Sequence, residues 1–269
     1  MNSIISFSLN YTDDYALFSF YLDEKPVHEI QCGISLRCAG NMGFSETPVT
    51  PQRLALLKKL KIDPARLFSC NQSHSRNVMC VENSIDSVVD ADGLVGIKDN
   101  VLSVTVADCL PIYLFDNKTK SFAICHSGWK GTGIALEALR LMHTKYSAEP
   151  KNISVTLGPC ILGSNYKVNT ERAALYHEEF GKNASAWPLG PAVRKETSEY
   201  GKTEYFIDMQ AANANLLFEN GVKNIAVCKN CTLTDERLGS FRREGRAFTK
   251  MLAFTGYSIS GFLPASFSS

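Results

Sequence analysis

Apolar and polar side chains alternate along residues 4–9 and again along 15–21, on either side of the polar run Tyr11-Thr12-Asp13-Asp14. A two-residue period marks strands with one buried face, so the two runs predict a β-hairpin. Residues 28–37 predict a further strand, which Gly40-Asn41-Met42-Gly43 breaks. Thr50-Pro51 then opens a helix reaching Leu60, with Thr50 as N-cap and Pro51 at the first helical position, where no amide hydrogen is needed. Leu102, Val104 and Val106 alternate with Ser103 and Thr105 in another strand. Ala107-Asp108-Cys109 interrupts it, and residues 110–115 predict a second, more buried strand. After the turn Asp116-Asn117-Lys118-Thr119, a strand over 122–126 runs into a glycine-rich segment at 127–133. A helix over 134–146 follows, its apolar face at Leu136, Leu139 and Met142 or His143. Further on, the pattern predicts strands at 153–157, 225–227 and 251–254 and helices at 171–180 and 207–220. Residues 181–203, with Pro188, Gly190, Pro191 and Gly201, predict the longest loop. With no internal repeat and no linker-like stretch, residues 1–269 are expected to form one domain of α/β or α+β type.

Composition narrows the class of function. The chain has 269 residues, of which 45% are hydrophobic and 20% charged, enough to bury a substantial core. A net charge of +1 gives no electrostatic reason to expect nucleic acid or anionic lipid, so a small-molecule substrate fits better. The first twenty or so residues lack the basic and apolar regions of a signal peptide, and no run approaches the ~18 apolar residues of a membrane-spanning helix. The expected location is cytoplasmic. The nine cysteines are odd in number and scattered, which predicts reduced thiols, many of them acting as small core hydrophobes.

Histidine is scarce, with five in the chain, so each can be weighed separately. His74 follows Asn71-Gln72-Ser73 in a polar segment, and His126 sits where an apolar strand meets a glycine turn. Cys109 lies between two apolar strands. If the strands on either side of residues 116–120 pair as a hairpin, Leu110 falls opposite His126 and Cys109 is one step away. A thiolate and an imidazole so placed suit a tetrahedral zinc site with an open position, for which His74 is the natural third ligand. Ordinary alternatives stand beside this: Cys109 as core filler, His74 as a surface residue, His126 as a backbone hydrogen-bonder. Spacings of 35 and 17 residues match no metal-finger pattern. Cys228-x-x-Cys231 is an isolated pair and is expected to be structural. The segment 128–133 could hold an anion on exposed amides at a helix N-terminus, and Arg242-Arg243 could bind phosphate; tight packing of Trp129 and a solvated surface pair are the respective alternatives.

Several segments in one order carry a resemblance. They are Gly33-Ile34-Ser35-Leu36-Arg37 with Asn41-Met42-Gly43, Gln72-Ser73-His74, Thr105-Val106-Ala107-Asp108-Cys109-Leu110-Pro111-Ile112, His126-Ser127-Gly128-Trp129-Lys130-Gly131, Leu157-Gly158-Pro159-Cys160, and Cys231-Thr232 with Ser240-Phe241-Arg242-Arg243-Glu244. The chain resembles the laccase-domain, YfiH-like family of multifunctional purine nucleoside phosphorylases from about residue 30 to 255. The resemblance implies an α+β fold of mixed sheets layered with helices, and zinc on His74, Cys109 and His126. It also implies phosphorolysis of adenosine, inosine, guanosine or methylthioadenosine, and deamination of adenosine. Three competing activities come with the family: a copper-dependent polyphenol oxidase, an editor of cytoplasmic peptidoglycan precursors, and, from toxins of the same fold, Cys–His deamidation without a metal. The chain departs from the family pattern in a shortened loop after Arg37 and in Gln72-Ser73-His74 itself.

For deamination, Asp108 beside the ligand Cys109 is the candidate proton shuttle, its alternative role being to fix the turn. For phosphorolysis, Arg37 first and Arg242 second are the candidates to hold phosphate, because a guanidinium fork matches its oxygens, with Asn41 as a further substrate contact. A redox copper cluster generally needs more histidines than one triplet, and only five are present.

Overall fold

The long apolar runs become strands because two sheets lie face to face and helices close their outer sides. The computed structural model describes residues 3–44, 47–81, 88–181, 189–197 and 200–259. In chain order the strands are β1 (Ser3–Phe7), β2 (Tyr15–Leu22), β3 (Lys25–Ser35), β4 (Leu67–Cys70), β5 (Val78–Cys80), β6 (Val88–Val89), β7 (Gly93–Gly96) and β8 (Val101–Val106). They continue as β9 (Leu110–Asp116), β10 (Phe122–Ser127), β11 (Ile153–Leu157), β12 (Lys167–Val168), β13 (Val193–Thr197), β14 (Thr203–Ile207), β15 (Asn224–Cys228) and β16 (Met251–Tyr257). The helices are α1 (Pro51–Leu60), α2 (Ile134–Tyr146), α3 (Thr170–Phe180), α4 (Met209–Glu219) and the single turn α5 (Phe241–Glu244).

One sheet runs β1-β15-β11-β9-β10-β7-β5, the second β2-β3-β16-β8-β4-β6, and a small third β12-β14-β13. Both large sheets mix parallel and antiparallel pairs, which makes the class α+β. Between them lie Phe18, Phe20, Cys32 and Val104 from one sheet and Tyr113, Phe115, Phe122 and Ile124 from the other. The outer face of the first sheet is covered by Ile134, Ala138 and Met142 of α2 and by Met209 and Leu217 of α4. That of the second packs on Leu56, Leu57 and Leu60 of α1. Each such side chain contributes roughly 1.5–3 kcal/mol when fully buried. Sandwiched on both faces, β9 and β10 are buried at every residue, which is why they read as continuous apolar runs rather than alternations. The Tyr113 hydroxyl of the first sheet donates a 3.0 Å bond to the Gly33 carbonyl of the second, and on the other face a Cβ at Gly33 would sit 2.3 Å from the ring of the cross-strand neighbour Phe254. Among the described residues no helix is long and apolar enough to cross a membrane.

Helix α1 begins as its sequence predicts, with the Thr50 hydroxyl accepting the Arg53 amide at 3.3 Å, and α2 spans the predicted residues. The predicted face of α2 packs inward through Leu139 and Met142, with Leu136 half-buried against the same core; His143 is exposed, and Ala135 and Ala138 widen the buried face. The predicted N-terminal hairpin does not form. Strand β1 pairs in parallel with β15 in one sheet and β2 with β3 in the other, leaving a single bridge between Tyr11 and Ala16. Polar groups from a distant loop capture the linker: Asn230 accepts the Leu9 amide at 2.9 Å and Asp235 the Tyr11 hydroxyl at 2.5 Å. The predicted long loop contains β13, paired with β14, and α4 starts at Met209 because the Asp208 carboxylate caps it. Strand β13 is masked in sequence by charge at Arg194, Lys195 and Glu196; Arg194 lies over the Phe206 ring at 5.0 Å. Residues 182–188 and 198–199 of that predicted loop lie outside the described residues.

Candidate metal centre

The interruption Ala107-Asp108-Cys109 is the point where the chain leaves one sheet for the other, from β8 to β9. Asp108 makes the crossing in the left-handed region, at φ 82°, tolerated by aspartate better than by most side chains. Its carboxylate is tied down on both oxygens. Oδ1 accepts from the Thr232 hydroxyl at 2.6 Å and the Ser240 hydroxyl at 2.7 Å, and Oδ2 from the Arg242 amide at 2.6 Å. Strand β10 pairs with β9 one step from the expected register, with Pro111 rather than Leu110 opposite His126, so Cys109 falls just beyond the paired region. His74 follows β4, and Gln72 locks that segment to β8, donating to the Thr105 carbonyl at 2.8 Å and accepting its amide and hydroxyl, each at 2.8 Å.

These three chain segments meet at one rim of both sheets. The ligating atoms of His74, Cys109 and His126 lie within 4.8 Å of one another, the first residue exposed, the second intermediate and the third buried. The imidazoles meet edge to face with centroids 4.8 Å apart. His126 Nδ1 is 2.8 Å from Asp92 Oδ1, which leaves Nε2 for the centre of the triad. Gly128 packs close beside it: a Cβ would stand 3.1 Å from the His74 ring and 3.3 Å from the Cys109 sulfur, so a side chain there would crowd both ligands. Two imidazoles and one thiolate converging within 4.8 Å are the nitrogen and sulfur donors that tetrahedral zinc takes, with a fourth position left open. The residues therefore fit such an ion.

Burial pushes the Cys109 thiol up, but His126 and His74 outweigh it and bring it down from 9.0 to about 6. Burial lowers the His126 pKa, and the Cys109 thiolate and Asp92 more than reverse that. The Asp92 carboxyl is held well below the usual range because the bonds from His126 and Ser75 overcome the cost of burying it. Above about pH 6, then, metal-free protein carries the Cys109 thiolate, and the proton returns as pH falls through that value. Iodoacetamide labelling of Cys109 after chelation, mapped by peptide mass, should be half-maximal near pH 6 rather than at 9.0; a midpoint at the ordinary thiol value would disprove the coupling.

The triad lies in a cleft of about 480 Å³ whose walls are Trp129, Tyr166, Phe241 and Phe248, with Arg172, Arg242 and Lys250 among them. Arg172 stacks over the Trp129 ring at 4.6 Å and Arg242 over the Tyr166 ring at 5.3 Å. Of the residues singled out from sequence, His74, Cys109, His126, Asp108 and Arg242 come together here. Arg37 and Asn41 do not line the cleft; Asn41 reaches it indirectly, accepting the Lys250 amide at 3.3 Å. Arg243 is committed elsewhere, to the carbonyls of Thr232, Leu233, Asp235 and Leu238. The glycine-rich turn is closed to anions, because Thr132, Gly133 and Ile134 are buried and Asn213 accepts the Gly133 amide at 3.0 Å. Cys228 and Cys231 are buried free thiols. Sequence reasoning missed Asp92, Tyr166, Arg172, Phe248 and Lys250. A buried aspartate ahead of the strand Gly93–Gly96 is the one sequence signal among them, and it carries meaning only once the partners are known.

An α+β protein with two sheets in its middle layers and a His–Cys–His cluster at the floor of an aromatic, cationic cleft is the class that fold and site define. The chain belongs to the family whose model is described as multi-copper polyphenol oxidoreductase laccase, which matches residues 32–258. Purine nucleoside phosphorylase YlmD of Geobacillus stearothermophilus is 30% identical over 237 residues, covering 82% of this chain and 83% of the relative. A purine nucleoside phosphorylase of Staphylococcus aureus is 28% identical over 221 residues, covering 77% and 79%. The crystal structure of YlmD from Geobacillus stearothermophilus superposes with a TM-score of 0.77 at 25% identity, over 93% of this chain and 98% of that one. Bacillus licheniformis hypothetical protein YfiH gives 0.76 at 23% identity, over 91% and 97%, a likeness of fold.

Proposed function

We propose that this chain is a cytoplasmic purine nucleoside phosphorylase acting on adenosine, inosine, guanosine or methylthioadenosine, with adenosine deaminase activity in the same cleft. Zinc on His74, Cys109 and His126 is its resident ion. The observation that carries the proposal is the composition of the cleft wall: aromatic faces for a planar base, guanidinium and ammonium groups for phosphate, and the triad between them. The names of the relatives, purine nucleoside phosphorylases, support the phosphorylase part of this reading.

In phosphorolysis a phosphate oxygen forms a bond to C1′ of the ribose as the bond from C1′ to the purine nitrogen breaks, the electron pair leaving with the base. Bound zinc would supply Lewis-acid stabilisation of developing negative charge. The chain's own part is to dock and orient. Arg172 and Arg242, held on aromatic faces, and Lys250 place the phosphate, and Trp129, Tyr166, Phe241 and Phe248 sandwich the base and exclude water. Asp108, with both oxygens already accepting bonds, holds the turn. A multicopper oxidase would need histidines beyond the triad, yet the other three, His28 on β3, His143 on α2 and His177 in the last turn of α3, do not line the cleft.

Protein loaded with zinc should release free base from adenosine, inosine or methylthioadenosine only when phosphate is present, and Arg242→Ala should raise the phosphate KM about 10-fold or more, the worth of a charge-assisted hydrogen bond. No turnover by fully loaded protein would sink the proposal. Undiminished activity after chelation would favour the Cys109–His126 pair as a metal-free nucleophile instead.

A further inference from the structure

The geometry points to Asp92 as a positioning residue that sets two of the three ligands at once: it selects the nitrogen His126 presents to the metal and fixes the backbone that carries His74. The inference rests on the triad being a metal site. Asp92 is fully buried, directly before β7. Its Oδ1 lies 2.8 Å from His126 Nδ1 and accepts the His74 amide at 3.0 Å. Its Oδ2 accepts the Ser75 amide and hydroxyl, both at 2.7 Å, the Ser73 amide at 3.2 Å and, more weakly, the Ser73 hydroxyl at 3.4 Å. The Asp92 carbonyl also accepts the His126 amide at 2.7 Å, so strand β10 and the ligand loop are gripped by the same residue.

Two consequences follow from the chemistry of that shell. Every group facing the carboxylate is a donor, so only an acceptor with two oxygens satisfies it; an asparagine in either orientation would press its amide hydrogens against donors. With Nδ1–H committed to Oδ1, the His126 lone pair that remains is on Nε2, which faces Cys109. His74 meanwhile stands at φ 62°, a left-handed backbone uncommon outside glycine but entered by histidine more readily than by most side chains, between two serines whose amides end on the same carboxylate. The buried charge holds it there, and with it the distance between the two imidazoles.

The test compares wild type, Asp92→Asn and Ser75→Ala for zinc affinity by competition with a chromophoric chelator, with circular dichroism and melting followed in parallel. Asp92→Asn should bind zinc about 10- to 100-fold more weakly. Ser75→Ala, which removes the hydroxyl's bonds to Asp92 and to the Asn77 amide and leaves the His126 bond in place, should stay within about threefold of wild type. Equal losses in the two variants would show a general loosening of the loop and overturn the inference, as would wild-type affinity in Asp92→Asn. In wild type loaded with cadmium-113, coupling between the metal and the His126 ring nitrogens should identify Nε2 as the ligand, with a slowly exchanging Nδ1–H. Metal on Nδ1 overturns the inference even if Asp92→Asn fails to fold. Failure of wild type to take up any metal would sink the metal site itself, an outcome distinct from all of these.

Discussion

Cys109→Ala should yield a folded protein without stoichiometric zinc and with kcat/KM reduced about a thousandfold or more, equivalent to roughly 4 kcal/mol of transition-state stabilisation. The fold survives because Cys109 is a small side chain at the cleft surface, outside the core clusters that hold the sheets together. The site does not. Removing the sulfur deletes the one anionic ligand of the triad and leaves two imidazoles, one of which has lost the thiolate that balanced its charge. Metal analysis of the purified variant beside its melting curve checks both halves. Zinc retained at full occupancy would refute the ligand assignment, and a collapsed melting curve would show that Cys109 is structural.

The strands and helices that sequence reveals are those with a local reason to exist. Helix α1 carries its own cap in Thr50 and Pro51, and β9 and β10 are apolar enough to be recognised without their partners. What stays hidden depends on groups far apart in the chain. The alternation around Tyr11 looks like a hairpin, yet Asn230 and Asp235 divert the linker between two sheets, and no residue near Tyr11 announces it. Strand β13 is written in charged residues, and its pairing with β14 rests on cross-strand contacts such as Arg194 over Phe206. The same contrast runs through the site. Cys109 and His126 flank a visible hairpin, so their proximity could be approached by counting, although the register came out one residue away. No spacing joins His74 to them, only its polar context among five histidines and the family resemblance, and Arg172 has none of these signals, because it is an unexceptional arginine on α3 until Trp129 is seen beneath it.

Asp108→Ala should cost about 3 kcal/mol or more in stability, seen as a melting temperature lower by roughly 5–10 °C, and should raise the phosphate KM at the same time. The two effects share a cause. The Asp108 carboxylate gathers the hydroxyls of Thr232 and Ser240, both fully buried, and the amide of Arg242 at the start of α5. Without it, two hydroxyls are left buried without their acceptor, and the turn that presents the Arg242 side chain to the cleft loses its anchor. Asp108→Asn keeps the left-handed backbone accessible but offers one acceptor oxygen where the aspartate has two, so it should fall between wild type and alanine. Because Asp108 acts on phosphate through Arg242, the Asp108→Ala and Arg242→Ala losses in phosphate KM should be strongly non-additive in the double variant. A proton shuttle would behave differently. It would lower kcat for deamination while leaving the melting temperature and the phosphate KM where they were, and its effect would add to that of Arg242→Ala. Melting curves and phosphate-dependent kinetics on these variants therefore decide between an aspartate that moves protons and one that holds the floor of the cleft in place, and the three donors within 2.7 Å of its oxygens favour the second.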